Sequence, residues 1–123
     1  MEITYADEKV KKQCTSINEA SKLFGGNKAL VRSLHSRINA MSNAETIKDI
    51  VVQSAFRFHA LKNKKGNYLD GYFSIDVKSI TDPWRIILQP LDDNKEPFNP
   101  CNIDEIADSV RIIEISEVSK HYE

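Results

Sequence analysis

The stretch FRFHALKNKK, residues 56–65, decides how the chain is read. Phe56 and Phe58 alternate with Arg57 and His59, a period of two that predicts a β-strand with one apolar and one polar face. The strand then runs into Lys62, Lys64 and Lys65. Further strands are expected over 71–78, 84–90 and 110–118. If Phe56, Phe58, Phe73, Ile75, Val77, Trp84, Ile86 and Leu88 share one face, the opposite face collects Arg57, His59, Tyr72, Ser74, Asp76, Arg85 and Gln89.

Upstream the period is helical. EITY at 2–5 is a short strand candidate, and Asp7 can cap a helix carrying Val10 and Cys14. Ser16 stands three residues before Glu19, the capping-box spacing, and Gly25–Gly26 ends that helix. Asn27 can cap the next one, whose stripe is Leu30, Leu34, Ile38 and Met41. Lys28, Arg32, His35 and Arg37 flank the stripe and read as a solvated helix face. A short apolar segment follows around Ile47 to Val52, and an acidic excursion over 91–109 interrupts the strands. Helices followed by a mostly antiparallel sheet predict an α+β fold.

At 123 residues and 14.0 kDa the chain has enough length for one core, and a single domain over 1–123 is expected. No run approaches the roughly 18 apolar residues of a spanning helix, and MEITYADEKV lacks the order of a signal peptide, so a soluble, cytoplasmic protein with no membrane partner is expected. Cys14 and Cys101 read as reduced thiols without a role. His35, His59 and His121 have no metal-ligand spacing, and there is neither a Gly-rich phosphate loop nor a Ser/His/Asp set; no metal or cofactor is expected.

The net charge of −1 divides unevenly, into +2 over residues 1–56, +3 over 57–90 and −6 over 91–123. A basic middle beside an acidic end fits a local anionic ligand site better than a surface that coats nucleic acid. Cations, an imidazole and a phenol on one sheet face beside loop lysines form a cradle suited to a phosphodiester; the alternative is a polar face that simply meets water.

In their order, RFHALKxKKG, GYFSIDV, WRIIL and VRIIEI resemble the HigB-like toxins of the RelE/ParE superfamily of type II toxin–antitoxin systems. EITYADEKVKKQC, KLFG and LVRSLHSRINAMSNA resemble the N-terminal part of that family, so the likeness covers nearly the whole chain. The resemblance implies a RelE-like fold, with helices on one face of a small antiparallel sheet and the active site on the other. It implies a ribosome-dependent mRNA interferase with no cofactor, acting on mRNA in the ribosome. It also implies a helix-turn-helix, HigA-like antitoxin in a toxin–antitoxin hetero-oligomer on operator DNA. Carried over, HxLK puts the active-site histidine at His59 and a basic residue at Lys62, SIDVK a basic residue at Lys78, and WRI the arginine at Arg85. The family often ends in Asp-Tyr-His where this chain ends in SKHYE, so His121 and Tyr122 are present in the other order.

The chemistry this implies is metal-free transfer, in which the ribose 2′-oxygen attacks phosphorus and the 5′-oxygen leaves. His59 is the titrating group, since its ordinary pKa of about 6.5 gives access to both protonation states. Arg85 suits the phosphate through its planar fork, and Lys62 is a second phosphate cation. Arg57, Lys64, Lys65 and Lys78 are outer RNA contacts, and Tyr72 or Tyr122 can stack a base or donate a proton. The competing expectations are a ParE-like toxin that inhibits DNA gyrase by binding, without nuclease chemistry, and a domain that keeps the fold without activity.

Overall fold

A computed structural model describes residues 1–62 and 68–120. The elements run β1 (Glu2–Tyr5), α1 (Glu8–Thr15), α2 (Ile17–Leu23), α3 (Lys28–Asn43), α4 (Lys48–Val51), a 3₁₀ turn (Ser54–Phe56), β2 (His59–Lys62), β3 (Tyr68–Asp76), β4 (Arg85–Leu91), α5 (Ile103–Ile106) and β5 (Ile112–Ser119). The sheet order is β1-β5-β4-β3-β2, with β1 parallel to β5 and the other pairs antiparallel. The fold is α+β, with the N-terminal helices packed on one face of the sheet.

Local chemistry sets the helix starts. Asp7 accepts from the Val10 N–H, Ser16 from Glu19 and Asn27 from Leu30, each filling one of the orphan donors of a first turn. Gly25 and Gly26 both adopt positive φ, 61° and 85°, where a side chain would be strained, and turn the chain from α2 into α3. Leu30, Val31, Leu34 and Met41 of α3 are buried against Ile75, Ile86, Leu88, Ile113 and Ile115 of the sheet.

Alternation sorts the two sheet faces as expected from the sequence. Phe73 pairs with Leu88 and Ile75 with Ile86 on the helix side; Ser74 pairs with Ile87 and Asp76 with Arg85 on the other. Two irregularities were not foreseen. The strand expected over 56–61 begins only at His59: Phe56 ends a 3₁₀ turn and Arg57 is left-handed, φ 49° and ψ 50°. Phe56 and Phe58 still reach the core side, Phe58 stacking on Phe73 at 4.8 Å. In β5 the register slips between the Ile115–Leu88 and Glu117–Ile87 pairs, leaving Ser116 as the extra residue. That slip restores Val118 to the core side after Ile113 and Ile115, at the expense of a buried Ser116 hydroxyl that has no hydrogen-bond partner among the described residues.

Burial also sorts the thiols. Cys14 is buried and its thiol pKa is pushed up to about 12 by desolvation; Cys101 is half-buried, its pKa raised by burial and then by Asp70. A rise from 9.0 to about 12 cuts the thiolate fraction by about a thousandfold below the free thiol. Iodoacetamide at pH 8 should therefore modify native Cys101 well before Cys14, and Cys14 only on unfolding; mass spectrometry of timed samples reads the order, and equal rates would contradict this packing.

Candidate functional site

Asp76 is 1% exposed at the end of β3, on the sheet face away from the helices. A buried carboxylate must be paired, and two arginines meet it. Arg57 donates through Nε to both oxygens, at 3.1 and 3.0 Å, and its Nη2 lies 2.9 Å from Oδ1. Arg85 lies opposite Asp76 in register, with Nε 3.2 Å from the same oxygen. Its Nε–H is not aimed well enough to form a hydrogen bond, so that contact is coulombic attraction between buried charges. Arg37 reaches over from α3, donating to the Asp76 and Val77 carbonyls through Nε and to Ala55 and Lys78 through Nη2, its guanidinium 4.5 Å from the centre of the Phe56 ring. Burial lowers the Arg37 pKa, and Asp76 acts against that shift.

Arg85 was expected to hold a phosphate, and the structure gives it another task. It is 6% exposed, and its two terminal nitrogens donate to four carbonyls of the β3–β4 connection: Ser79, Asp82, Trp84 and Ile80. Buried, with its terminal nitrogens tied to these carbonyls and its Nε facing Asp76, Arg85 locks the turn and presents no open fork to a phosphodiester. The polar face is likewise closed, since Ser74, Asp76, Arg85, Ile87, Gln89 and Ser119 are all buried.

The reachable groups lie along β2 and the turn before it. The Arg57 side chain is 31% exposed, and among the described residues none of its hydrogen bonds or ion pairs uses Nη1. With one carboxylate between Arg57 and Arg85, the cluster keeps a net charge of one positive unit at its outer edge. His59, two residues on, is half-buried and pairs with Ser74 across the sheet. Its Nδ1 lies 2.6 Å from the Arg57 carbonyl. A carbonyl can only accept, so Nδ1 is the nitrogen that carries hydrogen in this contact.

Lys62 is exposed at the far end of β2, and Lys78 is exposed just after β3. Tyr72 is half-buried and lines a cleft of about 460 Å³ with Ala60, Leu69, Gly71 and Cys101. Gly71 has φ 80°, with Gln89 and Cys101 beside the position its Cβ would take. Lys64, Lys65, His121 and Tyr122 lie outside the described residues. Among the described residues no group of three His, Cys, Asp or Glu side chains could hold a metal ion, and no helix is long and apolar enough to cross a membrane.

The structure thus gathers Arg57 and His59, with Tyr72 on the neighbouring strand, and leaves Arg85 within the fold. Sequence reasoning gave no role to Asp76, although an acid inside SIDV, in a strand otherwise rich in apolar residues, is a signal that a buried cation is near. Nothing local announces Arg37, whose partners are backbone carbonyls 18 to 41 residues away.

Removing Arg85 should cost stability before chemistry. Arg85→Ala leaves a buried carboxylate with one partner fewer and four carbonyls without donors, a loss of about 3–5 kcal/mol. Arg57→Ala, at a partly exposed site, should cost less. Urea unfolding of both variants checks the order; an Arg85→Ala protein as stable as wild type would show that the cluster does not hold the turn.

Compared with protein-family models and with curated proteins, the chain matches none.

Proposed function

We propose that the protein is the toxin of a type II toxin–antitoxin system, a ribosome-dependent mRNA interferase that cuts translated mRNA by metal-independent acid–base chemistry. The observation that carries the reading is His59 Nδ1 on the Arg57 carbonyl. It fixes the hydrogen on Nδ1 and orients the ring on the strand that follows a guanidinium already bound to Asp76. The sequence resemblance supplies the substrate.

In this reading the 2′-oxygen of the message attacks the adjacent phosphorus, the 2′ proton passes to a base, and the bond to the 5′-oxygen breaks as an acid protonates it. His59 Nε2 serves as one of the two proton-transfer groups. Arg57 takes the phosphate role first expected of Arg85, because its outer edge is accessible and a planar guanidinium favours the charge that grows on the phosphoryl oxygens. Lys62 adds positive charge at the other end of the strand. Tyr72 can stack a base over the cleft beside β2. The ribosome aligns the message, an effect that can be very large for a flexible strand. This assigns the protein to the cytoplasm, with a helix-turn-helix antitoxin as its expected silencing partner.

One observation favours a second reading. With Arg85 committed to the β3–β4 turn, one of the two groups that distinguish an interferase from a ParE-like, gyrase-binding toxin is lost.

The test is induction in cells with 5′ ends of messages mapped in their reading frames, followed by cleavage assays on programmed ribosomes. In-frame cuts are expected, and His59→Ala should lower the cleavage rate by about 10²–10⁴ without a change in melting. Intact messages together with trapped gyrase–DNA complexes would replace this reading with the second.

A further inference from the structure

The side of the molecule opposite the polar sheet face carries a second concentration of positive charge. Over sixteen residues, Lys28–Asn43, α3 contains Lys28, Arg32, His35 and Arg37 and no carboxylate. Between this helix and the end of β3 lies an open groove of about 400 Å³, lined by Ala29, Arg32, Ser33, Ser36, Arg37 and Val77. Arg37 forms its fixed floor, held by the four carbonyls that bind it. Arg32 is exposed at the wall, Lys28 one turn earlier on the same strip of helix, and Lys78 at the lip, its carbonyl bound by Arg37.

Among the described residues none of Lys28, Arg32 and Lys78 is in an ion pair, in a chain whose acidic residues outnumber its basic ones. Uncompensated cations around a groove raise the local anion concentration and select for an anionic ligand. The helical spacing narrows the choice. Lys28 and Arg32 are four residues apart, about 6 Å along the axis, a separation comparable with that of successive phosphates on a sugar–phosphate chain. Ser33 and Ser36 add hydroxyl donors between the cations. The wall presents no large apolar side chain to enter a lipid layer and no aromatic ring to stack a base. The ligand is therefore a nucleic-acid backbone, held without reference to sequence.

We infer that the groove between α3 and the end of β3 is a docking site for the phosphate backbone of RNA, separate from the His59 site. The choice of RNA over other phosphate chains rests on the proposed function; the groove and its charge do not. The two sites meet at one point of the fold. Asp76 presents its carboxylate to Arg57 on one side and its carbonyl to Arg37 on the other. A backbone lying in the groove is thereby set at a fixed distance from the histidine.

The test is fluorescence anisotropy with a labelled 20-nucleotide RNA over a salt series, using the full chain and the double variant Lys28→Ala/Arg32→Ala. Affinity should fall on the order of tenfold at low salt, and the slope of log K against log salt should shrink by about 1.4, two contacts at about 0.7 each. Lys9→Ala/Lys11→Ala on α1, with the same charge change, should bind like wild type. Equal losses in the two double variants would reduce the effect to net charge and overturn the site. Retained RNA binding with lost binding to phosphatidylglycerol vesicles would overturn it in favour of a membrane surface. His59→Ala should bind normally while failing to cut, and normal cutting by that variant would remove the enzymatic reading and leave the groove standing.

Discussion

A single buried carboxylate fixes how three parts of the chain meet. Asp76 stands at the end of β3 with almost no access to water, so its charge has to be met from within the protein. Arg57 meets it from the turn before β2, Arg85 from β4 directly opposite, and Arg37 binds its carbonyl from α3. These residues are far apart in sequence and none is interchangeable with lysine at this point. A guanidinium can span two oxygens or two carbonyls in one plane, and an ammonium cannot. The arrangement ties down the β3–β4 connection, which has no regular structure. Arg85 binds four of its carbonyls, and Asp82 accepts from the Trp84 N–H.

The same constraint builds the candidate site. Arg57 sits in the left-handed region, which costs a residue with a side chain about 1–3 kcal/mol unless its surroundings hold it there. Here the side chain is held on Asp76 and the carbonyl accepts from His59. That conformation breaks the strand before His59 and turns the Arg57 carbonyl toward the imidazole. A continuous strand from Phe56 would direct that carbonyl into the ladder and leave the imidazole without its orienting partner. The local irregularity and the defined histidine tautomer are one structural fact.

Much of this was legible in the sequence, and the boundary of legibility has a physical form. Helix starts at Asp7, Ser16 and Asn27 follow from side chains acting on donors three residues away, and the two sheet faces follow from a period of two. Both are local rules. Ser116 shows where they end: the pattern Ile113, Ile115, Val118 can keep one face only if a residue is inserted into the register, and the insertion is decided by the neighbouring strand. Arg85 shows the same limit for function. Alternation assigned it to the correct face, but the face alone does not say whether a guanidinium looks outward or is drawn in by carbonyls of a turn three to six residues away. Arg37, read as part of a solvated helix face, is likewise decided by partners the sequence does not bring near.

The charge pattern then acquires a structural meaning. Acidic and basic residues nearly cancel over the whole chain, yet they are unevenly distributed: α3 carries no carboxylate, whereas the 91–109 excursion carries six acids and one lysine. A small net charge limits indiscriminate attraction to polyanions, which falls off within a Debye length and is weakened by salt. Local excess along α3 and at the edge of the Asp76 cluster survives that cancellation, because the cations there have few carboxylates beside them and Arg57 shares its only one with Arg85. The two candidate anion sites, the proposed α3 groove and the Arg57 edge, are held in fixed relation by Asp76. A ligand that engages both gains from the rigidity of the connection, since the second contact no longer costs the freedom lost in making the first.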